Sequence, residues 1–195
     1  MYDCLLTRLN YGNILLILIG IGANLNSPRF GEPRSTCGAA LEFLAKAGLL
    51  ITARSRWYKS APVPISDQPW FINAVVQVKA APTPQKLMEL LLHTEKNLGR
   101  SRSEVNAPRI LDLDLIAYNK LILSLKNSDA PALNIPHPRL QDRAFVLIPL
   151  NDIAPNWRHP VENLKIDEMI ARLPKGQQTK PLLDANGVFG TEWRG

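Results

Sequence analysis

The stretch APRILDLDLIAYN, residues 107–119, places two acidic side chains inside an apolar run that otherwise resembles a buried β-strand. Aspartate is depleted in strands, and a buried carboxylate is costly unless a cation or hydrogen-bond donors compensate it. Residues two apart in a strand point to the same side, so Asp112 and Asp114 share one face and the neighbouring leucines share the other. The leucines can fill a core, and the acids must therefore face water or a ligand.

Two interpretations of the paired acids are open from the strand alone. One is a metal site, because proteins usually hold Mg²⁺ with one or two carboxylates together with substrate phosphates. The other is a solvent-facing strand whose acids pair with nearby Arg or Lys. The surrounding sequence favours the metal site, since it supplies cations on both sides of the strand: Arg100, Arg102, Arg109, His137, Arg139 and Arg143. Phosphate-binding cations beside Mg²⁺-binding acids are what phosphoryl transfer requires.

Residues 58–74, YKSAPVPISDQPWFINA, form a second candidate site. A proline-rich loop leads into Trp70, Phe71 and Asn73. Aromatic faces with one amide can hold a flat heterocycle, because the rings stack on it and the amide binds its edge. The alternative is that both aromatic residues belong to an ordinary core and that Asn73 lies at a strand edge.

Hydrophobic periodicity and turn signals predict the element order strand, helix, strand, strand, helix, strand. The corresponding segments are 14–22, 35–47, 49–60, 71–80, 84–98 and 110–118. The second helix is the best defined, since Thr83 is a natural N-cap, Pro84 suits the first helical position and Gly99 ends the helix. We therefore expect an α+β, ferredoxin-like fold, in which an antiparallel βαββαβ sheet carries its helices on one face.

The rest of the chain is expected to add C-terminal helices without forming a second domain. Residues 133–139 are predicted to be a proline-constrained loop, and short helices are predicted within 142–155 and 166–173. The tail from Lys175 is expected to be irregular and only loosely attached. We predict a single domain over residues 1–195, with its core at about 14–173, a short N-terminal extension and an irregular C-terminal tail.

Composition narrows the class of protein but does not identify a partner. The 195 residues are 46% hydrophobic and 21% charged, as in ordinary soluble globular proteins. The net charge of +6 suggests an acidic partner, which leaves nucleotides, nucleic acids and anionic membranes open. Cys4 and Cys37 form neither a disulfide framework nor a metal-ligand cluster. The apolar run 14–22 is too short to span a bilayer and lacks a clear cleavage site, so we expect a cytoplasmic protein.

Two other function classes explain part of the pattern. The βαββαβ order is shared with RNA-binding RRM domains, but no strand carries their aromatic RNP1 signature, and paired acids would repel nucleic-acid phosphates. A two-metal nuclease or phosphatase would explain the acids but not the aromatic loop. The sequence also lacks the G-x-x-x-x-G-K-[ST] loop and the kinase-type G-x-G-x-x-G motif.

Taken together, four segments resemble one family, the 6-hydroxymethyl-7,8-dihydropterin pyrophosphokinases of folate biosynthesis. APRILDLDLIAY is similar to the family's GPR-[TS]-LDLD core, and IPHPRLQDRAFVLIPLNDIAP to its PHPR-x-x-x-R-x-F-V-x-x-PL segment. SAPVPISDQPWFINAVVQV and the opening IGANL also match, and the likeness covers roughly residues 14–155. It implies transfer of diphosphate from ATP to the pterin hydroxymethyl group, giving AMP and the pterin diphosphate.

The resemblance also implies roles for individual residues. Asp112 and Asp114 correspond to catalytic ligands of two Mg²⁺ ions, and Arg102 and Arg109 to further catalytic positions. The positions implied to bind ATP are Glu95, Arg102, Arg109, Leu115, His137 and Arg143. The positions implied to line the pterin pocket are Ser60, Val63, Phe71, Asn73 and Phe145, with the two phenylalanines enclosing the ring. The expected partners are therefore ATP and a reduced pterin bound to a monomer, with no nucleic acid and no membrane.

The chain departs from the family pattern in the loop before the DLD strand. Where the family often carries Arg-Trp-Gly, this chain has Val105, Asn106 and Ala107. A loop arginine and its tryptophan are therefore missing, and we assign no catalytic role to Val105 or Asn106. Ile110 replaces a common threonine, a change that suits a strand.

Overall fold

The central strand of the molecule is β1 (Ile17–Ala23), all of whose residues are buried. The computed structural model describes residues 16–79, 81–100, 107–125 and 132–183. The remaining strands are β2 (Leu50–Arg54), β3 (Tyr58–Ser60), β4 (Phe71–Lys79), β5 (Asp112–Tyr118), β6 (Leu123–Leu125), β7 (Leu133–Ile135) and β8 (Thr179–Pro181). The helices are α1 (Pro33–Lys46), α2 (Pro84–Asn97), α3 (Ala144–Ile153) and α4 (Ile166–Ala171), with a 3₁₀ turn at Leu140–Asp142.

The main sheet has the strand order of a ferredoxin-like fold. The hydrogen-bonded order is β5-β1-β4-β3-β8, and β2 pairs with β4 beside β3. Every one of these pairings is antiparallel. The predicted α+β architecture is confirmed, and β1 lies between the strand that carries the paired acids and the strand that carries Asn73.

Helices cover both faces of this sheet, and each face has its own core. On the first face, apolar residues of β1, β4 and β5 pack against α1 and α2. On the second face, Leu18, Val75 and Ile116 pack against α3 and α4. The prediction of helices on one face is therefore correct for α1 and α2, while the additional C-terminal helices lie on the opposite face. These helices cover only the end of the second face where Leu18 lies. Gly22, further along β1 on the same face, lines an open cleft.

The helix signals in the sequence agree closely with the structure. α2 begins at Pro84 as predicted, although the Thr83 hydroxyl makes no capping hydrogen bond. α1 begins at Pro33, two residues before its predicted start. Gly48 and Gly99 have φ of 96° and 97°. Helices commonly end at a residue in this left-handed conformation, which glycine adopts most easily because it has no side chain. Within the described ranges no helix is long and apolar enough to cross a membrane.

Three predictions of strands and loops are wrong. The predicted strand 49–60 is divided into β2 and β3, because Ser55 turns inward and bonds to Val75 through both its main chain and its hydroxyl. The predicted loop 133–139 begins with β7, which pairs with β6 in a second small sheet. The tail after Lys175 is not wholly irregular, because β8 pairs with β3. Three-residue strands carry too little alternation to be recognised in a sequence.

The second core makes a prediction about stability. Leu18→Ala should lower the free energy of unfolding by about 2–5 kcal/mol, because the side chain is completely buried and leaves a cavity. Leu50→Ala on edge strand β2 is the control, since Leu50 is 58% exposed. We expect it to change stability by less than about 0.5 kcal/mol. Denaturant unfolding measures the free energy of unfolding of both variants. Equal losses of unfolding free energy in the two variants would contradict the assignment of Leu18 to the second core.

Candidate active site

A cleft of about 640 Å³ lies over the uncovered end of the second sheet face. Its floor is the sheet, and its walls are the loop after β3, the segment before β5 and the segment that leads into α3. Most of the residues predicted from the sequence line it: Ser60, Val63, Phe71, Asn73, Arg109, Asp112, Asp114, His137, Arg143 and Phe145. Acids, cations and aromatic residues that are far apart in the chain therefore meet in one cavity.

The strand register brings the two predicted halves of the site together. Gly22 of β1 is paired with Asp112 on one side and with Asn73 on the other. The three residues form one row across the sheet, and all three line the cleft. A Cβ atom on Gly22 would lie 3.0 Å from Asn73 Oδ1 and 4.0 Å from Asp112 Cβ. Glycine at this position therefore leaves room between the acid and the amide.

Each of the paired acids has its own cations. Asp112 binds a different arginine with each oxygen: Arg100 Nη1 lies 2.8 Å from Oδ1 and Arg109 Nη1 lies 3.0 Å from Oδ2. Arg143 Nη1 and His137 Nε2 lie 3.5 and 4.0 Å from Asp114 Oδ2. Burial, and then the neighbouring Asp112 carboxylate, raise the pKa of Asp114. The pairing with arginines is thus present, but it occurs in a cleft and not on an open surface.

The two acids fit a magnesium ion in chemistry and placement. They offer hard oxygen ligands from a rigid strand, and a bound cation would relieve their mutual repulsion. In the part of the chain that the structure describes, no three His, Cys, Asp or Glu side chains cluster into a complete metal site. In phosphoryl-transfer sites, substrate phosphates and water commonly supply further Mg²⁺ ligands beside one or two carboxylates.

Asn24 supports Arg109, one of the two arginines that bind Asp112. Its Oδ1 accepts a hydrogen bond from the Arg109 main-chain N–H at 2.7 Å, and its own N–H donates to the Arg109 carbonyl at 3.0 Å. Its amide nitrogen donates to the Pro69 carbonyl at 3.0 Å and lies 3.3 Å from Gln68 Oε1. Asn24 therefore connects the acid side of the cleft to the loop that precedes Asn73. The sequence offered the IGANL match as a signal, but no role was predicted for this residue.

Glu95 lies beneath the acids and does not line the cleft. Its carboxylate is buried, accepts a hydrogen bond from Leu113 N at 2.7 Å and forms an ion pair with Arg100. Burial raises the pKa of Glu95 to about 7. The structure thus gives Glu95 a supporting position behind Arg100, which lines the cleft. The sequence indicated Arg100 only as one of the cations that flank the strand and gave it no individual role.

His137 is held as a neutral ring. Burial, followed by the charges of Arg143 and Arg139, lowers its pKa to about 4. Its Nδ1 accepts a hydrogen bond from Arg139 N at 3.2 Å, so its Nε2 carries the proton and points toward Asp114. The side chain can therefore donate a hydrogen bond into the cleft without adding positive charge.

The other half of the cleft is aromatic with one buried amide. Asn73 is 5% exposed, and its Nδ2 donates to Ser60 Oγ at 2.7 Å. Phe71 and Phe145 both line the cavity, and the Arg143 guanidinium lies 5.4 Å from the Phe145 ring centre. Trp70 does not line the cavity, and its ring lies 5.7 Å from Lys59 Nζ. The hypothesis of a heterocycle pocket therefore applies to Phe71 and Asn73 but not to Trp70.

Two of the predicted ATP-binding residues that the structure describes, Glu95 and Leu115, do not line the cleft. Leu115 is 3% exposed and packs in the first core, so its side chain faces α1 and α2, away from the acids. Alternation along β5 is the reason, since Leu115 has the opposite parity to Asp112 and Asp114. Arg102 lies outside the described residues, as do Val105 and Asn106 of the divergent loop. Ala107, the third divergent residue, lines the cleft.

A family model described as 7,8-dihydro-6-hydroxymethylpterin-pyrophosphokinase (HPPK) matches residues 18–155. The chain belongs to this family. The resemblance drawn from the DLD and PHPR segments is therefore confirmed, and with it the expectation of a pyrophosphokinase of folate biosynthesis.

Two bacterial HPPK relatives align over most of their length, and both are named 2-amino-4-hydroxy-6-hydroxymethyldihydropteridine pyrophosphokinase. The protein from Methylorubrum extorquens is 37% identical over 139 residues, which cover 71% of this chain and 82% of that protein. The protein from Pseudomonas aeruginosa is 35% identical over 159 residues, which cover 81% of this chain and 91% of that protein. The folic acid synthesis protein FOL1 of Dictyostelium discoideum is 38% identical over 126 residues, and this chain spans only 18% of it.

The fold also matches a solved HPPK structure. The crystal structure of wild-type HPPK-DHPS from Plasmodium falciparum superposes with a TM-score of 0.67 at 13% identity. The match covers 90% of this chain and 49% of that one. At this identity the likeness shows a common fold alone.

The row of Gly22, Asp112 and Asn73 makes a prediction about binding. Gly22→Ala should weaken pterin binding about tenfold, since the added Cβ would displace the Asn73 amide from its place over β1. Gly20→Ala is the matched control, because its Cβ would meet the flexible end of Ile116 at 3.1 Å and not Asn73. Calorimetric titration with the pterin measures both, and Asn73→Ala provides the scale of a full loss. Equal affinities for wild type and Gly22→Ala would contradict this function of the glycine.

The neutral state of His137 makes a prediction about pH. A folded-state pKa of about 4 lies below the ordinary histidine value, so the unfolded chain takes up this proton first as the pH falls. The contribution of His137 to stability is therefore complete above about pH 6.5 and is lost between about pH 6.5 and pH 4. Relative to His137→Asn, the wild type should lose about 1–2 kcal/mol between pH 7 and pH 5. Denaturant unfolding of both proteins at several pH values measures this loss. A difference in unfolding free energy between them that did not change with pH would contradict the prediction.

Proposed function

We propose that this cleft transfers diphosphate from ATP to 6-hydroxymethyl-7,8-dihydropterin, producing AMP and the pterin diphosphate. The observation that supports it most strongly is the row of Asp112, Gly22 and Asn73 across three paired strands. It places carboxylates suited to Mg²⁺ next to a buried amide flanked by aromatic residues. The pterin hydroxymethyl oxygen would then meet the ATP phosphates where the two halves of the cleft join.

Asp112 and Asp114 would hold two Mg²⁺ ions together with ATP. Bound magnesium would neutralise phosphate charge and align the two reacting groups. In the reaction, the hydroxymethyl oxygen would lose its proton to solvent and form a bond to the β-phosphorus. The bond from that phosphorus to the bridging α-phosphate oxygen would break, and AMP would leave with that oxygen. The strand backbone keeps the two carboxylates rigid, so they require little reorganisation during the reaction.

The cations around the acids would bind the phosphate chain. Arg109 and Arg143 line the cleft beside Asp112 and Asp114, and neutral His137 would donate a hydrogen bond from Nε2. Arg100 also reaches Asp112 and would add a further charge. An arginine presents a planar fork of donors that matches phosphate oxygens, so this set can orient the chain as well as neutralise it. Arg102 is also proposed to bind ATP and to take part in catalysis, as the resemblance to the family implies.

The buried amide would select the pterin by its edge. Asn73 Nδ2 already donates to Ser60, so its Oδ1 over Gly22 is the atom expected to accept a ring N–H. Phe71 and Phe145 would enclose the ring, and Val63 would cover it from the loop after β3. A buried amide left unpaired costs about 1–3 kcal/mol, so ligands without the matching donors would bind much more weakly.

The proposal also covers the domain organisation, oligomeric state and location of the protein. We expect one domain that acts as a cytoplasmic monomer without nucleic acid or a membrane. The net charge of +6 is consistent with binding an anionic nucleotide.

The reaction products test the function directly. Incubation of the protein with Mg²⁺, ATP and the pterin should yield AMP and the pterin diphosphate in equal amounts, as followed by anion-exchange chromatography. ADP or inorganic phosphate without AMP would instead indicate a phosphatase or another phosphotransferase. Retention of a labelled oligonucleotide, with no reaction, would favour the nucleic-acid-binding alternative.

The paired acids make the sharpest prediction about turnover. Asp112→Asn and Asp114→Asn keep the size of the side chain but remove its charge, and each should lower kcat about 100-fold or more. Magnesium should also cease to strengthen binding of an unreactive ATP analogue to these variants. Asp167→Asn, at an exposed acid on α4, is the control and should retain wild-type turnover. Near-normal turnover in either cleft variant, with circular dichroism unchanged, would contradict the metal assignment.

A further inference from the structure

The chain segment around Gln177 and Gln178 contacts both walls of the cleft. This segment lies beyond residues 18–155, the part that matches the family model. The Gln178 carbonyl accepts a hydrogen bond from Ala61 N at 3.0 Å, at the start of the loop that forms the pterin wall. β8 follows at once and pairs with β3, with Thr179 opposite Ser60. One side of the segment is therefore joined to the wall that carries Ser60 and Val63.

The Gln177 side chain binds the opposite wall on both sides of Arg143. Its Oε1 accepts a hydrogen bond from Ala144 N at 2.9 Å, and its Nε2 donates to the Asp142 carbonyl at 2.7 Å. Both groups of the amide are therefore used, and they hold the residues immediately before and after Arg143. The main-chain position of Arg143 then determines where its guanidinium meets Asp114.

The start of α3 needs a capping group that its own sequence does not provide. Arg143 occupies the N-cap position and makes no side-chain capping bond, because a guanidinium has no acceptor. The first N–H groups of a helix lack partners within the helix, and Ala144 N is one of them. Gln177 supplies that acceptor from 33 residues further along the chain.

The far end of α3 has an independent anchor. Asp152 accepts hydrogen bonds from Arg56 Nη2 at 2.7 Å and from Tyr58 Oη at 2.9 Å. Loss of the Gln177 bonds would therefore release the beginning of the helix without detaching the whole helix. Arg143 and Phe145 lie at that beginning, and both line the cleft.

We propose that Gln177 is a positioning residue of the active site, which holds Arg143 and Phe145 against the pterin wall through the Asp142 carbonyl and the Ala144 N–H. It touches neither substrate and acts through the residues that it holds. This inference rests on the proposed assignment of Phe145 to the pterin pocket and of Arg143 to the ATP phosphates. A segment that the sequence indicated to be a loose tail would thus set the geometry of the cleft.

Gln177→Ala should weaken binding of the pterin about tenfold and lower kcat by a similar factor, because small displacements of positioning groups are costly to catalysis. Gln177→Glu keeps an acceptor for Ala144 N and should recover part of the loss. Gln178→Ala is the matched control, since its side chain is exposed and its main-chain carbonyl is retained. The midpoint of thermal unfolding and circular dichroism of the full chain show that each variant is folded at the assay temperature.

A double-mutant cycle with Phe145→Ala distinguishes positioning from a general loss of stability. If Gln177 acts through Phe145, Gln177→Ala should weaken pterin binding about tenfold in the wild type but less than about twofold in the Phe145→Ala background. Equal losses in both backgrounds, or wild-type affinity and kcat in Gln177→Ala, would overturn the inference and leave the pterin pocket intact. Unchanged pterin affinity in Phe145→Ala alone would overturn the pocket assignment, and the inference with it.

Discussion

β1 carries no side chain at Gly20 and Gly22, on the same face where Leu18 packs against α3 and α4. A strand in the centre of a sheet is normally covered on both faces. Here Ile116 lies over Gly20, and the cover ends before Gly22, which lines the cleft. The ideal Cβ position on Gly22 is only 3.0 Å from Asn73 Oδ1. Because Gly22 pairs with both Asp112 and Asn73, this bare strip of backbone allows the acid and the amide to approach from opposite sides. The floor of the cleft depends on it.

The charges above that floor are held by one another. Arg100 and Arg109 bind Asp112, Arg143 binds Asp114, and Glu95 binds Arg100 from beneath. Each acid therefore has a cation beside it, and the same arginines line the cleft where phosphate oxygens would bind. Burial, and then the neighbouring Asp112 carboxylate, raise the pKa of Asp114, which disfavours its charged form. A divalent ion with its phosphates would complete the balance of charge.

Sequence reasoning succeeded where the signal is local. The alternation of acids and leucines along β5 correctly separated the cleft face from the core face, and Pro84 and Gly99 marked the ends of α2. The same alternation shows why Leu115 could not share the cleft with the acids. Local signals failed for β8, which is three residues long and contains a proline, and for Asn24, whose partners lie 45 and 85 residues away.

The sequence by itself therefore determined the family, the order of the main elements and the residue types that carry the chemistry. Those properties follow from periodicity, turn residues and motifs, which are written along a short stretch of chain. Only the tertiary structure decided that Arg100 binds Asp112, that Gly22 separates Asp112 from Asn73, and that Gln177 holds the start of α3. These contacts join residues that pair only after the sheet has formed, and a hydrogen bond between distant segments leaves no periodic trace in the sequence.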